Sequence, residues 1–174
     1  MAITPFHCRN CPSCVQILIL YFVTKKVKSM EKLKFNAEIN ASPYKVWKIL
    51  WDDATYREWT SAFAEGSHAI TDWKEGSKVL FLDGKGQGMV SRIAELIPNK
   101  YMSFEHLGEV LNGVEDTTSD KVKSWAGAHE NYTLEDINGK TMLYIEMDTT
   151  EEYKDYFLPV WPKALEKIKH IAEQ

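Results

Sequence analysis

The sequence predicts an α+β domain in which a curved antiparallel sheet covers one long C-terminal helix. Three observations carry that reading. The closing stretch "EEYKDYFLPVWPKALEKIKHIAEQ" places Tyr153, Tyr156, Phe157, Val160, Trp161, Ala164, Leu165, Ile168 and Ile171 on one side at helical spacing, and such a stripe must be covered. From Ser67 to Asp148 the signals are those of strands and tight turns, whose short connections require antiparallel neighbours. The 174 residues, 44% hydrophobic and 26% charged, suffice for one domain that buries a core without metal or disulfide.

The chain opens with a segment of a different kind. Residues 1 to 29 contain Arg9, Lys25, Lys26 and Lys28 and no acid, so the remainder holds 17 basic against 25 acidic side chains, a balance of -8. A domain that acidic repels phosphate backbones and anionic lipid surfaces, which argues against nucleic-acid or membrane work. Cys8, Cys11 and Cys14 have the spacing of thiolates that converge on zinc or iron. They lack a fourth ligand, because His7 is adjacent to Cys8 and no other cysteine follows; no metal site is expected. The run Val15 to Val23 resembles a signal-peptide core, but it has no A-x-A-like cleavage site and Lys25 and Lys26 follow at once. It also falls far short of the roughly 20 residues of a membrane span. Residues 1–29 are therefore read as an extension outside the fold, with Met30 as a candidate start, and 30–174 as the domain. A domain without cysteine fits a reducing, cytoplasmic setting.

The elements follow in order. "EKLKFNAEINA" alternates Leu33, Phe35, Ala37 and Ile39 with Lys34, Asn36, Glu38 and Asn40, the pattern of a half-buried strand. In "SPYKVWKILWDD", Ser42 is the N-cap and Pro43 the first helical residue; Val46, Trp47, Leu50 and Trp51 line one side. "ATYREWTSAF" adds a second short helix. Strands "KVLFL", "MVSRIAELI" and "YMSFEHL" are joined by "DGKGQG" and "PNK". After a long polar loop, "GEVLNGVEDTTSDKVKSWAG", come "WAGAHENYTLED" and "TMLYIEMD" around the turn "INGK". In the last helix Pro159 and Pro162 each remove a donor and clash one turn back, so a break near Leu158 and a kink are expected, with Thr150 capping a first short turn. Lys163, Glu166, Lys167, Lys169 and His170 form its wet side.

Several motifs fail on context. "GKGQG" lies between two strands and offers a phosphate no helix N-terminus. "HENYT" lacks the second histidine of a zinc-protease helix, and the domain has no G-x-S-x-G elbow. No cofactor is expected.

The element order, with "SPYKVWKILWD", "GMVSRIAELIPNKYMSFEHLG", "WAGAHENYTLED" and "YFLPVWPKALEKIKHIAE", resembles the START-like or SRPBCC superfamily, and within it proteins similar to the activator of Hsp90 ATPase. The resemblance covers about residues 31 to 173. It implies a helix-grip fold: a seven-stranded curved antiparallel sheet around the C-terminal helix, two short helices after the first strand, and an apolar cavity between sheet and helix. Relatives of this kind bind lipids, hormones or polyketides, catalyse cyclisation, or assist a chaperone, and no family-wide catalytic motif carries over.

Strand phase then selects candidates within such a cavity. In "WAGAHENYTLED" the apolar phase is Ala126, Ala128, Glu130, Tyr132, Leu134, so Glu130 points inward beside Tyr132. Desolvation favours the neutral form of a buried acid, which makes such a residue a polar anchor or general acid. His106 shares the phase of Met102 and Phe104. Trp125 and Trp161, at element starts, are candidates for a pocket entrance, with Phe157 and Trp161 near its mouth; Trp47 and Trp51 read as packing. The expected ligand-binding set is thus Phe104, His106, Trp125, Glu130, Tyr132, Phe157 and Trp161. The leading reading is a non-catalytic carrier or sensor of an apolar small molecule, lipid-like or aromatic. The alternatives are a chaperone-associated protein-binding module, and a cyclase or hydrolase using Glu130 with His106.

Overall fold

The computed structural model describes residues 30–174. Cys8, Cys11 and Cys14, and the extension that carries them, lie outside the described residues. The architecture is α+β, with helices laid on one face of a curved antiparallel sheet.

Strand β1 (Met30–Ile39) leads into α1 (Pro43–Trp51) and α2 (Asp53–Thr60). β2 (His68–Ile70), β3 (Lys78–Leu82), β4 (Gly88–Ile97) and β5 (Tyr101–Leu111) follow, then β6 (Val114–Asp116), α3 (Asp120–Lys123), β7 (Ala128–Ile137), β8 (Lys140–Thr150) and α4 (Glu151–Ala172). The strands lie in the order β1-β8-β7-β5-β4-β3-β2, and β6 pairs with the far end of β5. That path has the seven strands that the resemblance implies, with β2 the one that no sequence pattern marks, and β6 is an eighth. It occupies part of the stretch read from sequence as one long loop, because Asn112 and Gly113 both adopt positive φ and fold β5 back on itself. Gly108 is required there: a Cβ on it would sit 2.2 Å from the Asp116 carbonyl oxygen.

Two register shifts between β4 and β5, at Val90/Ser91 and Ile93/Glu95, are bulges that bend the sheet. The inner face of β1 follows its alternation, with Leu33 and Ile39 buried and Lys32, Lys34, Asn36 and Glu38 exposed. Ser42 caps α1 by accepting from the Lys45 N–H at 3.4 Å, and Pro43 takes the first turn.

Helix α4 corrects the sequence reading. It runs unbroken from Glu151 to Ala172 with Pro159 and Pro162 inside, so the break expected near Leu158 is absent. The prolines deprive the carbonyls of Asp155 and Leu158 of their intrahelical donors. Both residues are exposed, where water can take the donors' place. Thr150 is the N-cap by position, but its side chain makes no capping bond.

The helix is anchored unevenly. Its second half buries Trp161, Ala164, Leu165, Ile168 and Ala172 against β1, β8, α1 and α2. Polar ties close that end: the Lys169 ammonium donates to the Glu38 carbonyl at 3.0 Å, and Glu173 accepts from the Asn40 N–H at 2.7 Å. The first half leaves Tyr153, Tyr156 and Leu158 exposed, so the stripe covered by the sheet is shorter than the one drawn from sequence. That half roofs the open space described next.

Candidate functional site

Between α4, α1, α2 and the concave face of the sheet lies a cavity of about 410 Å³. Its walls are largely rings: Trp51 from α1, Tyr56 and Trp59 from α2, Phe81 from β3, Phe104 from β5, Tyr132 from β7, and Phe157 and Trp161 from α4. Edge-on contacts lock the deeper rings, Trp51 to Tyr132 at 5.0 Å and Phe81 to Phe104 at 5.1 Å. A second cavity of about 240 Å³ adjoins it, lined by Met30, His106, Trp125, Ala128, Met147 and Tyr153 among others. Gly88, Met89, Glu130 and Phe157 line both.

The sequence-derived set is therefore divided. Phe104, Tyr132 and Trp161 face the larger cavity, His106 and Trp125 the smaller, and Glu130 and Phe157 stand between. Trp161 is fully buried, so it forms the base of the larger cavity and not its mouth. Trp125 follows α3 in a turn, ahead of β7, which starts only at Ala128. Trp51, assigned from sequence to packing, lines the larger cavity as well as packing. Tyr56, Trp59, Phe63 and Phe81 were missed. For three of them a signal existed: Tyr56, Trp59 and Phe63 fall three and four apart, the inner stripe of α2 and the turn after it.

A polar chain crosses the inner face of the sheet. β5 and β7 pair Phe104 with Glu130 and Met102 with Tyr132, which sets the inward side chains of both strands beside one another. The Tyr132 hydroxyl donates to Glu130 Oε1, and Glu130 Oε2 lies 3.6 Å from His106 Nε2. His106 Nδ1 meets the Ser91 hydroxyl at 2.8 Å. Burial, and then the Glu130 carboxylate, push the Tyr56 and Tyr132 phenols well above their ordinary 10.0, so both remain neutral. In the smaller cavity burial pushes the Asp148 carboxyl up, but Lys32 and the His129 N–H more than offset this and hold it below the usual range.

The order Ser91, His106, Glu130 has the connectivity of a hydrolytic triad but not its access. Ser91 is fully buried and lines neither cavity, so its hydroxyl cannot meet a guest. Among the described residues no group of three histidine, cysteine, aspartate or glutamate side chains gathers as a metal site. Among the described residues, two buried polar atoms of the cavity walls, Trp51 Nε1 and Thr150 Oγ1, have no hydrogen-bond partner.

The sequence of residues 40–173 matches the family model described as activator of Hsp90 ATPase homolog 1-like protein. The chain belongs to this family. Its helix-grip architecture is shared by other members and by solved structures of low identity. The solution structure of the Aha1 dimer from Colwellia psychrerythraea is 20% identical over 83% of this chain and 97% of that one, with a TM-score of 0.64. Protein MLL2253 from Mesorhizobium loti is 15% identical, covering 80% and 95%, at 0.62. The AHSA1-like protein from Aeromonas hydrophila is 15% identical, covering 80% and 90%, at 0.57. A comparison with curated proteins gives no match. At these identities the three structures share the fold with this chain, while its cavity is defined by its own side chains. Among the described residues no helix is long and apolar enough to cross a membrane.

Proposed function

We propose that the protein is a non-catalytic binder, a carrier or sensor, of an apolar small molecule held between the sheet and α4. The observation that carries this reading is the cavity of about 410 Å³ whose walls are aromatic rings from three helices and three strands. A well-packed domain leaves few voids larger than a water molecule, and this volume falls in the range of small-molecule sites, roughly 300–1,000 Å³. Phe104, Tyr132, Phe157 and Trp161 supply apolar contact, and Glu130 with His106 supplies polar atoms that orient a guest. Native mass spectrometry of the purified chain tests it, together with thermal shifts in the presence of naphthalene- and sterol-based probes. Bound apolar mass or stabilisation by a probe is expected; protein that carries no such compound and is stabilised by none overturns the reading.

The family description favours a second reading, a chaperone-associated protein-binding module. Stimulation of an Hsp90-type ATPase by the purified chain is its test, and a rate unchanged at saturating protein rules it out.

A further inference from the structure

We infer that the guest is an aromatic compound carrying an amine, its cation seated against Glu130. This rests on the cavity reading above and names the chemistry of the same site. Among the described residues the ionisable side chains lining the two cavities are, besides the phenols, four carboxylates, Asp83, Glu109, Glu130 and Asp148, and two histidines, His68 and His106; no lysine or arginine lines either. Three of the carboxylates are matched locally. Glu109 pairs with Lys121 at 2.6 Å, Asp148 with Lys32 at 2.8 Å, and Asp83 accepts the N–H groups of Lys85 and Gln87.

Glu130 differs. Among the described residues its partners are the Tyr132 hydroxyl, a neutral donor, and the His106 ring 3.6 Å away, which is beyond hydrogen-bond length. Its side chain retains 16% of its exposure, on the wall that both cavities share. A carboxylate largely removed from water, with no lysine or arginine beside it and the nearest imidazole beyond hydrogen-bond length, favours a guest that brings a cation. The surrounding rings act in the same direction, because the faces of Trp, Tyr and Phe attract cations. A carboxylate-bearing guest, such as a fatty acid, would meet the charge of Glu130 with no lysine or arginine in the wall to receive its own.

The test titrates the full chain, by calorimetry at neutral pH, with three probes of matched shape: naphthylethylamine, naphthylethanol and naphthylacetate. The amine is expected to bind tightest, by roughly tenfold over the alcohol, with the acetate weakest. In Glu130→Gln most of the amine's advantage over the alcohol should vanish. An alcohol or acetate that binds as tightly as the amine, or three probes that all fail to bind, overturns the inference; the apolar-binder reading falls only if native mass spectrometry and the sterol-based probes are negative as well. The ranking on the unaltered chain needs no variant, so it stands even where Glu130→Gln does not fold. An amine preference that survives in folded Glu130→Gln removes Glu130 from the assignment.

Discussion

Trp161 stacks on Phe35 at 5.7 Å, meets Phe63 edge-on at 5.0 Å and donates its indole N–H to the Met147 sulfur at 2.9 Å. It joins α4 to β1, to the turn after α2 and to β8 while forming the base of the cavity. Trp161→Ala should therefore cost about 3–5 kcal/mol of stability by urea denaturation, the range for emptying a large aromatic site. The buried phenols give a pH prediction. Because the folded state raises Tyr56 and Tyr132 above their ordinary 10.0, their contribution is complete below about pH 10 and is lost as pH rises toward the folded values. The urea midpoint should fall as pH rises above about 10, and Tyr132→Phe should flatten that fall. Glu130 and Tyr132 were legible in the sequence because alternation on a strand fixes which face a side chain takes. Trp51 was legible only as a core residue: helical periodicity says that an indole points inward, not whether the space beyond is filled.

Helix α4 does two things along its length. From Trp161 onward it is packed and tied at its end, whereas from Glu151 to Leu158 it lies over open volume, and two prolines stand at the junction. Amide exchange should accordingly be faster across residues 151–158 than across 164–172, and a bound guest should slow the first segment more; equal protection in both would contradict this account of its packing. That the helix continues through Pro159 and Pro162 is not legible locally, since proline's local cost is fixed while its tolerance depends on exposed neighbours and a buried anchor close by. The β5–β6 turn is the opposite case. Asn112-Gly113 is the same dipeptide as Asn138-Gly139, which was read as a hairpin, and both pairs adopt positive φ. The first is hard to recognise in sequence because β6 is three residues long, too short to show alternation.

At the scale of the molecule, the family match spans residues 40–173 and leaves the first 29 residues outside it. A chain of residues 30–174 should therefore melt within a few degrees of the full chain by circular dichroism, and a large loss would show that the first 29 residues contribute to the fold. The order of elements was readable because short connections leave antiparallel neighbours little choice. The division of the interior into two cavities was not, since it depends on how rings from α1, α2 and α4 meet, which no local pattern records.

The sheet is open, and among the described residues three of its strands, β1, β2 and the three-residue β6, have only one β neighbour, so aggregation depends on them. β2, at one end, is only three residues long. β1, at the other, is ten residues long, and its solvent-facing positions carry Lys32, Lys34 and Glu38, joined across to Asp148, Glu146 and Lys140 on β8. A foreign strand adding to that border would have to accommodate this charged row, as well as α4, which packs against β1. An apolar interior is thereby kept from becoming a nucleus for fibrils, even with room inside for a guest.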